Sequence, residues 1–216
     1  MVKFYDFFVF TSVLSYLFPF IFSLIKLQRG IRNDELRIVL FIALTSFLSE
    51  VCSFCFIYFF GFSNNSIVQI YTMFMVVYIY LYYRNTVFLK NKKLHELIVL
   101  MMFIFMIFFF FKNLGNSKIN VISNLCLTLY GVLLASIYFY KVYTEMKIAN
   151  LFQDGLFWVN SAFLIYFSST FYVSLFEDYI RSEDSNLLYY TWPIQLVSTI
   201  IFNVILSRGI WLMRKQ

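Results

Sequence analysis

Apolar stretches of about twenty residues, each long enough to cross a bilayer as a helix, recur along the chain and limit its fold more than any other feature. They run Phe4 to Ile25, Ile38 to Phe60, Ile67 to Tyr83, Leu97 to Phe111, Ile119 to Tyr140, Phe152 to Phe176 and Leu188 to Met213. In hydrocarbon every backbone N–H and C=O needs a partner within its own segment, so isolated runs of this length span as helices. The expected fold is all-α: a polytopic membrane protein with seven transmembrane helices, forming a single domain over residues 1–216. Only 13% of residues are charged and 62% are hydrophobic, whereas about a quarter are charged in a typical soluble domain. The fourth segment is short, and Lys93 and Lys112 at its flanks can snorkel to the two interfaces. The first stretch has no basic leader and no small-residue cleavage site, so it is read as a retained span rather than a signal peptide.

Basic residues set the orientation. Alternating the connecting segments between two sides puts Lys26, Arg29, Arg32, Arg37, Arg84, Lys90, Lys92, Lys93, Lys141, Lys147, Arg208, Arg214 and Lys215 together, with only Lys3, Lys112, Lys118 and Arg181 opposite. Thirteen against four places the amino terminus outside and the carboxyl terminus in the cytoplasm. Adding or losing a span would scatter the basic loops over both faces. The net charge of +6 thus follows from topology and attraction to lipid headgroups, and nucleic acid is not an expected partner. Arg29, Arg32, Arg37, Lys92 and Lys93 are the expected cytoplasmic contacts for membrane lipid or a protein partner.

Glu50 is the leading site candidate, because a carboxylate deep in an apolar span marks function by default. Ala43, Ser46, Glu50 and Ser53 follow at spacings of three and four, hence on one helix face, which is expected to point inward. Polar residues recur on other spans: Asn124 on the fifth, Asn160 on the sixth, Gln195 on the seventh, and Tyr80 on the third, a tyrosine within reach of Glu50 at depth. With Ser46 and Ser53 they make the expected ligand-binding or coupling set, in a cavity open toward the outer half. Each can also serve simply as a hydrogen bond between helices.

Enzymatic chemistry is not expected. Intramembrane hydrolysis calls for paired acids, a metal set or a nucleophile with a base, and no second deep acid, deep His or deep Lys accompanies Glu50. Asp154 sits near a helix mouth and is a poor second acid, and His95 falls in a Lys-rich loop. Cys52, Cys55 and Cys126 read as small buried apolar side chains. No metal or cofactor is expected.

Phe18-Pro19-Phe20, Ser49-Glu50, Ile70-Tyr71-Thr72, Tyr82-Tyr83, Phe157-Trp158-Val159-Asn160-Ser161, Leu164-Ile165-Tyr166-Phe167-Ser168, Asn203 and Trp211 together resemble a group of small seven-helix membrane proteins from Bacteroidetes, similar in turn to the membrane sensor region of some histidine kinases. In that pattern an acid often stands in mid helix 3, where this chain has Met73-Phe74-Met75, and a His stands near Gln195; both ionisable groups are missing. The resemblance implies a bacterial inner-membrane protein with a receptor-like sensory or accessory role beside a signalling partner such as a kinase. Two other classes stay open: a small ion- or proton-coupled transporter using Glu50, and a structural subunit of a larger membrane complex.

Overall fold

A computed structural model describes residues 2–31, 33–61, 63–86, 92–112, 117–145, 150–183 and 188–213. Its helices are α1 Val2–Ser15, α2 Leu17–Gln28, α3 Asp34–Phe60, α4 Asn65–Thr86, α5 Lys92–Lys112, α6 Ser117–Glu145, α7 Gly155–Glu183 and α8 Leu188–Leu212, with a 3-10 turn at Leu151–Gln153. Six spans are long and apolar enough to cross a membrane: Phe7–Gln28, Asp34–Ile57, Asn65–Arg84, Val121–Glu145, Gly155–Phe176 and Pro193–Leu212. A shorter apolar helix, His95–Phe108, lies within α5.

The helix ends follow from local chemistry. Asp34 and Glu35 occupy the first turn of α3, where carboxylates meet the positive end of the helix dipole. Gly61 ends that helix at φ 64°, its N–H bonded to the Phe56 carbonyl, a left-handed cap that glycine takes without Cβ strain. Asp154 caps α7, accepting from Leu156 N at 3.3 Å and Phe157 N at 3.1 Å, and takes a 3.4 Å bond from Tyr138 on α6. The acid set aside above as a poor partner for Glu50 is committed to this cap.

The first apolar span is interrupted at a single residue, Tyr16, which divides it into α1 and α2. Pro19 has no N–H to give the Ser15 carbonyl, and the chain turns at Tyr16, whose N–H bonds Val13 O at 3.3 Å. Ser12, Ser15 and Tyr16 are buried at this break, where Asn203 of α8 donates to Ser15 Oγ at 2.7 Å.

Neighbouring helices close a ring. α3 packs on α4, α4 on α6, α6 on α7, α7 on α8, α8 on α1 and α2, and α2 back on α3. α5 stands outside this ring, mainly against α4, and much of its surface is exposed, including Leu97, Met101, Ile104 and Phe108. Glycines allow close approach at two helix crossings. A Cβ on Gly155 would stand 2.7 Å from Gly209 O, and one on Gly131 would run into the Phe167 ring. Large aromatic side chains fill the interior: Tyr82, Tyr83, Phe163 and Phe167 are fully buried.

One end of the bundle is basic. Lys26 donates to Met213 O at 3.0 Å and Lys141 to Thr86 O at 3.2 Å, while Arg84 and Arg37 line one shallow groove with Asp34. This gathers side chains from four helices that the sequence assigned to a single side. His95 departs from expectation. α5 starts at Lys92, so His95 is helical rather than in a loop, and it is buried, 4% exposed.

Candidate functional site

The polar side chains of the ring interior gather in layers. The layer around Glu50 draws on α3, α4, α7, α8 and the α1/α2 break. Ser46 Oγ lies 3.1 Å from Tyr71 OH, and the Tyr71 hydroxyl also meets that of Tyr166. Tyr16, at the junction of α1 and α2, meets Thr199. The Glu50 carboxylate acts electrostatically on Tyr16, Tyr71 and Tyr166. Three phenols and two smaller hydroxyls thus share a layer with one acid, a set suited to hold a polar ligand group or relay a proton.

Glu50 itself is not packed in the core as its helix face suggested. Ala43, Ser46 and Ser53 of the small-residue stripe are buried, but Glu50 is exposed. Protein still surrounds it closely, so the carboxylate stands at the exposed margin of this layer. On an ideal helix the four residues fall within an arc of about 80° with Glu50 between Ala43 and Ser46, so helical spacing alone does not account for its exposure.

A second layer lies toward the basic end. Asn160, 0% exposed, donates to Tyr82 OH at 3.1 Å and to Leu156 O at 2.8 Å, leaving its Oδ1 without a partner among the described residues. The two layers are joined by rings in series: Tyr166 on Phe202 at 4.8 Å, Phe202 on Phe163 at 5.9 Å, and Phe163 on Tyr82 at 5.4 Å between centroids.

The remaining expected residues are dispersed. Tyr80 does not reach Glu50; its hydroxyl donates to Glu96 at 3.1 Å and its ring lies 5.2 Å from His95. One helix turn is 5.4 Å, and Tyr80 is nine residues beyond Tyr71, the α4 tyrosine that does face Glu50. Asn124 donates to Ser174 at 3.0 Å, tying α6 to α7, and Gln195 is half-buried near the start of α8. Among the basic contacts, Arg29 stacks over Trp211 at 5.5 Å, Arg37 faces Asp34 at 3.9 Å and Lys93 is exposed. Arg32 and the Lys92 side chain lie outside the described residues.

Sequence reasoning missed two members of the Glu50 layer, Tyr16 and Tyr166. Their signal was present in the Pro19 break and in Tyr166-x-x-x-Thr170 on α7. Tyrosine is so common here, seventeen in all, that none stands out alone. The buried His95 was also missed: it lies 3.2 Å from Tyr130 OH, in a group with Tyr80, Glu96 and Arg84. Of the cysteines, Cys52 is exposed rather than buried, and all three are free. Among the described residues no three His, Cys, Asp or Glu side chains converge as a metal set would.

No protein-family model, curated protein or solved structure matches the chain.

Proposed function

We propose that the protein is a receptor-like membrane sensor or accessory subunit that works through a separate signalling protein. The observation that carries this reading is the Glu50 layer: five helical elements meet at one acid and its hydroxyls, and a stack of rings runs from there to the Asn160 layer. In this reading a crevice opens beside Glu50, and a polar ligand or lipid group in it would bond Glu50, Tyr71 and Tyr166 in one packing of the ring better than in another; only such differential binding can shift a conformational equilibrium. Tyr166 and Tyr82, at the two ends of the ring stack, would carry the shift toward the basic end.

In this reading the chain crosses the inner membrane of a bacterium seven times, with α5 as the seventh crossing, the amino terminus outside and the basic end in the cytoplasm. The basic loops, Lys93 and Arg37 among them, would face the partner. Exposure of Glu50 beside these hydroxyls also suits a second reading, a proton- or ion-coupled carrier.

Native mass spectrometry of the protein released from gentle detergent tests both. A bound small molecule or lipid that disappears in Glu50→Gln and in Tyr71→Phe, with folding intact, is the expected result. Proton-coupled uptake by the wild type in proteoliposomes, lost in Glu50→Gln, would replace the sensor by the carrier. If both variants retain the same bound species as the wild type, the Glu50 crevice is not the site.

A further inference from the structure

The outer surface of the α2/α8 seam carries a groove of about 530 Å³ lined by Phe18, Phe22, Val204, Ser207, Arg208 and Trp211. Phe18, Val204 and Trp211 are exposed, and Phe22 meets Trp211 edge to face at 5.8 Å. Among the described side chains of α8 the exposed positions are Ile194, Val197, Ile201, Val204, Arg208 and Trp211. Their spacing of three and four makes one stripe along the helix, facing away from the ring. Arg208 is the one charge in this stripe, and it falls inside the apolar span Pro193–Leu212.

A guanidinium on a hydrocarbon-facing surface is costly unless it is paired or reaches the interface. Among the described residues Arg208 has no acidic partner, and neither has Arg29, which lies over the Trp211 ring beside the same groove. Lys26 adds a third cation, 5.4 Å from that ring, with one of its protons committed to Met213 O. The seam therefore presents an apolar trough in the depth of the bilayer with unneutralised cations at its basic end. A soluble anion would fit the charges and leave the trough bare, whereas a zwitterionic lipid would fill the trough and neutralise the cations only in part.

We infer that this groove is a binding site for one anionic phospholipid of the leaflet at the basic end. The phosphate sits at Arg208 and Arg29, and an acyl chain lies along Phe18, Phe22 and Val204. Guanidinium suits the headgroup because its planar N–H pairs match two phosphate oxygens. Bound there, the lipid spans the contact that closes the ring between its first and last membrane-spanning segments. The site is separate from the Glu50 crevice, and its success or failure leaves the reading of that crevice untouched.

The test is lipid titration by native mass spectrometry and by thermal melting in neutral detergent, comparing phosphatidylglycerol with phosphatidylcholine and with inorganic phosphate. The wild type should retain and be stabilised by phosphatidylglycerol far more than by phosphatidylcholine, and phosphate alone should do neither. Arg29→Gln with Arg208→Gln should lower phosphatidylglycerol affinity about thirtyfold, from about 1 kcal/mol per basic contact near the headgroups and tenfold per 1.4 kcal/mol. Arg29→Lys with Arg208→Lys should recover part of that loss, and Arg37→Gln, which removes a cation already facing Asp34, should change nothing. Equal retention of the two lipids would overturn the proposal, as would unchanged phosphatidylglycerol affinity in the double glutamine variant or an equal loss in Arg37→Gln. So would a cross-linked dimer through Val204→Cys that persists in anionic lipid, because a second copy would then occupy the groove.

Discussion

Gly209→Ala tests the α7/α8 crossing most directly. The added Cβ would stand 2.8 Å from Val159 Cγ2 and 3.0 Å from both Gly155 O and Val159 N. Carbon contacts are comfortable at about 3.5–4.0 Å, so the helices must part locally by roughly 0.7 Å, a gap that forfeits a quarter to a half of each dispersion contact it opens. Two of the three obstructing atoms are backbone and cannot rotate away. Overpacking of this kind costs about 1–3 kcal/mol. Alanine's greater helix propensity, worth up to about 1 kcal/mol, is realised only in part because Gly209 lies in the last turn of α8. The net expectation is a loss of about 1–2 kcal/mol, or five- to thirtyfold in the folded-to-unfolded ratio. Reversible unfolding in mixed micelles measures it. Val159→Ala removes the side-chain part of the clash, so the double variant should show a favourable coupling of about 0.5 kcal/mol or more. Gly61→Ala is the control: open space surrounds it and only its φ of 64° opposes a side chain, at about 1–2 kcal/mol, with no coupling to Val159. A Gly209→Ala protein as stable as the wild type, or an absence of coupling, would refute the close crossing.

Asn203→Leu should cost about 0.6–1.7 kcal/mol, the range for hydrogen bonds between membrane helices, and Ser15→Ala should add little to it, because Asn203 and Ser15 share one 2.7 Å bond; the same unfolding assay reads both. His95→Leu should destabilise by about 1–3 kcal/mol by stranding the Tyr130 hydroxyl, and Tyr130→Phe in the same chain should restore part of that loss. Cysteines at Gly61 and Lys93, introduced singly into a cysteine-free protein, should react with an impermeant maleimide from opposite sides of intact spheroplasts, Gly61 from outside. Labelling of both from one side would overturn the proposed topology.

The spans were legible because a bilayer imposes one demand on every segment, and a run of apolar residues meets it without reference to neighbours. Six of the seven expected segments coincide with long apolar helices, and the fourth coincides with the shorter one in α5. Lys26, Arg29, Arg37, Arg84 and Lys141 were read from their loops as one group, and the packing of α2, α3, α4, α6 and α8 gathers them at one end. Ser46 and Glu50 were legible because a polar group in an apolar run stands out by its cost.

The partners of those polar groups had to come from the tertiary structure. Tyr71 rather than Tyr80 reaches Ser46 because the register of α4 against α3 decides it, and register is set by packing of many aromatic side chains that the sequence presents as near equals. Tyr16 joins the Glu50 layer at the α1/α2 junction, where α8 supplies Asn203 and Thr199. Likewise His95 looked like part of a charged loop, yet α5 begins early enough to bury it against Tyr130 of α6. Hydropathy is a property of each segment alone and so survives in the sequence, whereas which side chains meet depends on crossing, rotation and kink, fixed only when all the helices pack together.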